Sequence, residues 1–395
     1  MYIYNHSTPF ILKPFCLIKQ KNKSNASLFW ILLIVFHLVV LYLIHHRFGF
    51  NYSNEGAKYI DQAKNLINGN GLMTIKYSSF YTFYVLYLSV FIYFKLPLVL
   101  IIICTYAISI YAYYCFYKLL KHSINSSVAK IWLTCMLLSP LILYWQFNLF
   151  SESFFIALSL IYLSVFLSSS PSPFSILKIG LLSIALVLSR PNGIFIVLVT
   201  ALLYIYQHKL LSKKTLIFGS LFIGIILIIA IVFFMPLPYK DFSFQIASGA
   251  IYCGFPTLPP TSLPEANYTL WNCYANIYNS HGLSELIQLF IKKGLSFFVT
   301  SRPYYSMFHN VFNRAHDIFY ILGIIGLYHA YKYKKRELSI LMAFFSIVIL
   351  NAMMVSLIYN EWSERHTVQV FPYIFVVVAY IMSLFFKKIK LNKIV

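Results

Sequence analysis

Apolar runs of 16 to 22 residues recur along the whole chain, separated by short polar and basic segments. Residues 28–44, 215–235 and 338–359 are the clearest, each close to the length a helix needs to cross ~30 Å of hydrocarbon. The runs are continuously apolar and do not alternate, which predicts helices rather than the strands of a membrane barrel. Ten spans are predicted: 28–44, 97–117, 131–146, 153–169, 174–189, 192–207, 215–235, 316–331, 338–359 and 367–386. The expected fold class is an all-α polytopic membrane protein. Composition agrees, because 60% of the 395 residues are hydrophobic and only 10% charged, against roughly 25% charged in a soluble domain. Mean hydropathy is +0.75.

Charge sets the direction of the threading. Lys and Arg cluster at Lys13–Lys23, Lys118–Lys130, Lys209–Lys214, Lys332–Arg336 and Lys387–Lys393, the pattern that the positive-inside rule expects of cytoplasmic loops. Both termini are then cytoplasmic, in a bacterial inner or plasma membrane. The polar, basic residues 1–27 stay inside, and the first apolar run acts as a signal anchor rather than a cleaved signal peptide. The outer side receives 45–96, 147–152, 189–192, 236–315 and 360–366. With Lys178 and Asp317, which lie near the ends of predicted spans, counted with the adjoining inner and outer loops, nineteen of the 31 Lys and Arg fall inside with one of the ten acids, Glu337, and twelve basic residues and nine acids fall outside. Acids have little say in orientation, so their crowding on one side suggests that the chemistry faces outward.

Residues 80–94 are apolar enough to span, but counting them would invert every later loop against the charge rule. They are read as a juxtamembrane or re-entrant helix on the outer side, where aromatic rings concentrate. On this threading the chain divides into four parts. These are a cytoplasmic segment 1–27, a seven-span module 28–235 that includes outer loop 45–96, a large outer loop 236–315, and a three-helix region 316–395. The Pro, Gly and Asn content of 236–315 reads as an ordered loop with turns.

The net charge of +21 sits in short clusters between spans, so it points to anionic lipid headgroups rather than nucleic acid. Cys16, Cys104, Cys115 and Cys135 read as small buried hydrophobes. Cys253 and Cys273 share the large outer loop, and an oxidising compartment would allow a disulfide between them. No internal repeat is evident, which argues against a secondary transporter. His37, alone inside a confident span, reads as packing rather than a proton relay.

The first outer loop carries the most informative pattern. Tyr59, Ile60, Ala63, Leu66 and Ile67 recur at helical spacing and make one apolar face. Ser53 or Asn54 can cap the start, and Gly69, Asn70 and Gly71 can end it. An amphipathic helix results, with Glu55 in its first turn. An acid there also complements the helix dipole, an effect of ~0.3–1 kcal/mol.

Glu55, Gly56, Ala57, Lys58 and Tyr59, followed by Ala63, Leu66 and the Gly69–Gly71 stop, resemble the first-loop signature of GT-C glycosyltransferases. That superfamily includes the protein O-mannosyltransferases and the lipid A aminoarabinose transferases. Its acid is usually Asp, often with a second acid beside it; here Glu55 precedes Gly56. Three further patches resemble motifs of the same family in the same order. They are Asn148 to Glu152, the Ser189-to-Gly193 turn that contains Arg190, and Glu364–Arg365–His366 ahead of Pro372.

The resemblance implies a seven-span GT-C-like module ahead of the large outer loop. It also implies a sugar donor on a polyprenyl phosphate and a glycan, lipid or protein acceptor. Glu55 would act as general base in an inverting attack, and Glu152 would orient the acceptor or a basic partner. Arg365 and Arg190 would neutralise the departing phosphate, since Arg stays charged and can hold two oxygens at once. Lys76 and Arg302 are further phosphate-binding candidates, and Tyr59, His366 and Arg314 are secondary site candidates. No cofactor is implied. The sequence has no HExxH, paired-Asp or Cys/His cluster to hold a metal, though a divalent cation is left open. An O-antigen ligase or polymerase and a membrane transporter are the rival readings.

Overall fold

The computed structural model describes residues 24–52, 55–71, 78–169, 172–207, 249–251, 270–302, 305–333, 335, 337–357 and 365–392. The predicted span 215–235, together with Lys76, Cys16 and Cys253, lies outside them. Among the described residues the chain is helical, and its one isolated β-bridge joins Asn51 to Asn148. It divides into two compact units: unit 1 from 1–64 and 83–216, unit 2 from 65–82 and 217–395.

In chain order the helices are α1 (Ser24–Phe48), α2 (Glu55–Ile67), α3 (Thr82–Tyr93), α4 (Leu98–Ser123), α5 (Ser126–Leu138), α6 (Pro140–Gln146), α7 (Ser151–Ser168), α8 (Pro173–Val187) and α9 (Gly193–Gln207). They continue as α10 (Leu270–Phe298), α11 (Met307–Lys332), α12 (Leu338–Leu357) and α13 (Phe371–Asn392).

Five of these are long and apolar enough to cross a bilayer: Leu28–Phe48, Leu98–Ser123, Ser151–Ser168, Leu338–Leu357 and Val368–Lys387. This is a multi-pass membrane protein. The predicted span 131–146 is instead a bent pair, α5 and α6, meeting at 57°. The cause is local. Pro140 cannot donate to the preceding turn and clashes with it, so Ser139 ends α5 and its hydroxyl accepts from Ile142 N at 3.4 Å to start α6. If the bent pair is one span the total rises to six. The predicted spans 174–189 and 192–207 correspond to the apolar helices α8 and α9, of 15 residues each. At 1.5 Å per residue they cover about 22 Å, short of the hydrocarbon core. The predicted span 316–331 lies within the 26-residue α11. Residues 80–94 form the 12-residue α3, about 18 Å long and too short to cross.

In unit 1 the central helices are α4 and α7. Between lipid-exposed helices there is no hydrophobic driving force, so close packing and interhelical hydrogen bonds hold the bundle. Ala112 and Ser109 of α4 are fully buried, as are most residues of α7. Ser109 Oγ donates to Gln146 Oε1 at 3.2 Å, and Gln146 Nε2 donates to the Tyr113 hydroxyl at 3.3 Å. The Tyr162 and Thr200 hydroxyls, 2.7 Å apart, tie α7 to α9. Each such bond contributes on the order of 0.6 kcal/mol in a membrane. Trp132 of α5 is buried against Phe116 and Tyr113, with ring centroids 4.8 and 6.2 Å away. By contrast α1 leaves Ile31, Leu32, Ile34, Val35 and Phe36 exposed, a surface for acyl chains. Its His37 is satisfied by packing: Nδ1 donates to Leu137 O at 2.6 Å, and Nε2 pairs with the Tyr106 hydroxyl.

Unit 2 is built around α13, buried almost continuously from Phe371 to Ile381. Gly326 lets α11 approach its backbone, since a Cβ there would lie 3.0 Å from Val377 O. Rings interlock along the same seam, Phe319 on Phe375 at 5.0 Å. The large outer loop of the sequence reading contains the 29-residue helix α10, broken at Gly282, where φ is +85°.

Replacing Gly326 with Leu is expected to separate α11 from α13. Overpacking of this kind costs about 1–3 kcal/mol, so the purified protein in detergent should melt several degrees lower. An unchanged melting temperature would refute the close-packed seam.

Candidate active site

The site in unit 1 is assembled at the start of α7 by three segments far apart in sequence. Past the end of α1 the chain runs extended alongside 147–149, with Asn51 N donating to Phe147 O at 3.0 Å and Leu149 N to Asn51 O at 2.9 Å. The two asparagines reinforce the bridge, Asn51 Nδ2 donating to Asn148 Oδ1 at 2.7 Å. This pins the entry to α2. Gly56 then packs so tightly that a Cβ would lie 2.9 Å from Leu149 O. A residue with a side chain would lift the head of α2 off the segment that precedes Glu152.

The predicted amphipathic helix is present. Tyr59, Ile60 and Ala63 are buried, while Lys58, Asp61 and Lys64 are exposed. It ends at the glycines, with φ of +78° at Gly69 and +76° at Gly71. Gly69 N donates to Leu66 O and Asn70 N to Asn65 O, closing the last turn. Glu55 is the first residue of α2; its side chain lies outside the described set. Tyr59 meets Tyr84 of α3 edge to face at 5.3 Å, and Tyr84 in turn lies 5.6 Å from Phe154 of α7. The aromatic chain thus couples α2 to the helix that carries Glu152.

Arg190 arrives from the turn between α8 and α9. The α8 helix stops at Val187, Ser189 Oγ closes its end by donating to Ala185 O at 2.7 Å, and Pro191 then opens a new turn. Gly193 is required there because a Cβ would overlap the Leu186 carbonyl. The turn also anchors α3, since Phe83 N donates to Leu188 O at 3.0 Å. From this position Arg190 Nη1 lies 2.6 Å from Glu152 Oε1, with side-chain exposures of 1% and 0%. The same nitrogen donates to Ser151 Oγ at 3.0 Å. Removing two charges from water is costly, and mutual pairing with added hydrogen bonds is what makes it tolerable.

The candidates of unit 2 gather at a second place. Thr300 follows α10, and its backbone N donates to Asp317 Oδ1 at 3.0 Å. Its hydroxyl lies 2.8 Å from the same oxygen and 2.6 Å from Asn313 O. Asn310 brackets Arg302, accepting from its N at 2.7 Å and donating to its O at 2.8 Å. The Arg302 guanidinium is buried and turned back onto the α10 terminus, Nη1 donating to Val299 O and to Ser301 O. Both acceptors lie just past Phe298, so the side chain folds back on the short segment that follows the helix. Arg365 is half-buried and His366 buried, and Thr367 beside them donates to Phe297 O at 3.0 Å. Arg314 is exposed.

No family model, curated protein or solved structure matches the chain.

The predicted residues therefore fall into two groups, each described within its own unit: Glu55, Tyr59, Glu152 and Arg190 in one, Arg302, Arg314, Arg365 and His366 in the other. Sequence reasoning missed Thr300, Asn310, Asn313 and Asp317. The spacing of the last three, three and four residues apart on one helix, was the signal available. It also missed Lys293, which is buried in α10. Cys273 is buried in the first turns of α10. Among the described residues, no group of three or more His, Cys, Asp and Glu is placed to hold a metal ion.

Arg190→Met is expected to leave a buried carboxylate unpaired and to cost about 3–5 kcal/mol, read as a large drop in melting temperature in detergent. The double variant Glu152→Gln with Arg190→Met removes both charges and should recover much of that loss. If the double variant melts as low as the single one, the ion pair is not what the turn is built around.

Proposed function

We propose that this protein is a membrane glycosyltransferase that moves a sugar from a polyprenyl-phosphate donor to an acceptor hydroxyl at the outer face of the bilayer. One observation carries the reading. Three sequence patches that resemble GT-C motifs, 51–71, 148–152 and 189–193, converge around the buried Glu152–Arg190 pair, although partners within them stand 97 and 39 residues apart. Unrelated surface loops have no physical reason to meet at a dry ion pair.

In this reading Glu55, at the head of the docked α2, takes the proton of the acceptor hydroxyl. The hydroxyl oxygen forms the new bond at the anomeric carbon while the bond to the phosphate oxygen breaks, inverting the centre. Arg190 contributes fixed positive charge toward the phosphate, which costs no reorganisation during reaction. Glu152 holds Arg190 in its orientation and is thus a positioning residue. The prenyl tail would remain in the bilayer that the apolar helices occupy.

Glu55→Gln preserves shape and removes the base. Sugar transfer in membrane vesicles supplied with a polyprenyl-phosphate sugar pool should fall by about 10²–10⁴-fold, with the melting temperature unchanged. Full retained activity would overturn the assignment. Mass spectrometry of lipid-linked and envelope glycans in a deletion strain identifies the sugar, and an unchanged glycan profile would count against the whole reading.

A further inference from the structure

The second half of α10, from Leu283 to Phe298, is patterned in three rows rather than two. The inward row is Leu289, Lys293, Ser296 and Phe297, continued by Thr300, and all five residues are buried. Lys293 is 1% exposed and Ser296 4%. One outward row, at i, i+4 spacing, is Leu283, Ile287, Ile291 and Leu295, exposed by 57, 47, 55 and 59%. Beside it runs a second exposed row of Ser284, Gln288 and Lys292. A helix covering a water-soluble core turns its aliphatic residues in and its lysines out. This one buries Lys293 and Ser296 and presents four aliphatic side chains.

The placement of α10 is equally specific. Ser356 Oγ donates to Phe290 O at 2.7 Å, and Tyr274 OH donates to Leu357 O. Thr367 Oγ1 donates to Phe297 O at 3.0 Å. Ser356 and Leu357 are the last residues of the candidate span α12, and Thr367 immediately precedes the span that begins at Val368. The hydrogen bonds therefore attach α10 across the ends of two candidate membrane helices. Gly282, with φ of +85°, breaks the helix where this half begins.

We propose that Leu283–Phe298 is an interfacial helix seated on the bilayer surface, its Leu283–Ile287–Ile291–Leu295 row in contact with lipid acyl chains and Lys292 at the level of the headgroup phosphates. Lipid rather than protein is the occupant for two reasons. The row is purely aliphatic, without the aromatic, Met and Arg anchors that mark protein interfaces. Within the same unit α11 also exposes Ile318, Ile321, Ile324 and Ile325, an aliphatic surface of the same kind. A three-row helix with a basic flank is what an interfacial seat requires: apolar side to the acyl boundary, Lys to the headgroups. This inference does not depend on the glycosyl-transfer reading.

The test places the photoreactive residue p-benzoylphenylalanine singly at Ile287, Ile291 and Gln288 of the full chain in native membranes, followed by irradiation and mass spectrometry of the adducts. Phospholipid adducts at 287 and 291, several-fold more abundant than at 288, are expected. Adducts to a second copy, to another protein or to another segment of this chain, or no adduct at 287 and 291, would overturn it. Hydroxyl-radical footprinting of the unsubstituted chain in lipid nanodiscs gives a readout free of substitution. Oxidation of Leu283, Ile287, Ile291 and Leu295 should stay as low as in the spans. Oxidation at the level of exposed loop residues would equally overturn the proposal.

Discussion

A carboxylate and a guanidinium at the end of a membrane helix bundle can leave water only together, and the local architecture of unit 1 follows from that constraint. For Glu152 and Arg190 to lie 2.6 Å apart with almost no exposure, α8 must stop at Val187 and the Pro191–Gly193 turn must bring Arg190 back over the start of α7. The same turn receives Phe83 N of α3, and α3 in turn packs Tyr84 against Tyr59 of α2. Disturbing the pair therefore disturbs the docking of α2. Such a buried pair is weak evidence for stability, since apolar residues of similar volume would often serve as well or better. That it is present argues for a use beyond holding helices together.

Much of the fold could be read from residue pattern alone, because the bilayer permits few solutions. Continuous apolar runs in 28–44, 97–117, 153–169, 338–359 and 367–386 all became long helices, since backbone in hydrocarbon must satisfy itself. The Gly69–Gly71 stop of α2 was legible for a local reason: positive φ is inexpensive only for glycine. The bend at Pro140 carried its signal in plain view, but a window that averages hydropathy passes over a single proline. What could not be read was α10. Its aliphatic row is interrupted by Glu285, Lys292 and Lys293, so it forms no continuous run, and the Pro- and Asn-rich surroundings suggested a loop.

The candidate site divides in the same way. Glu152 and Arg190 were each identifiable as charges near predicted span ends, where a lone charge is costly. Their pairing is a tertiary fact across 38 residues and has no signature in either motif alone. Arg302 shows the reverse. The family resemblance offered it as a phosphate-binding candidate, and its Nη1 donates to the Val299 and Ser301 carbonyls just past the end of α10. The residues that organise this turn, Asn310, Asn313 and Asp317, are neutral or singly charged and drew no notice as chemistry.

The two units place their polar groups by opposite means, and the difference bears on what each can do. Unit 1 gathers charge at one dry point, where a fixed guanidinium can act on a neighbouring charge with little screening. Unit 2 instead distributes polar groups along a helix attached to the ends of two spans, with Lys293 and Ser296 inward and an aliphatic row outward. A lysine and a serine turned inward beneath a fully aliphatic exterior are out of place in water and natural in lipid.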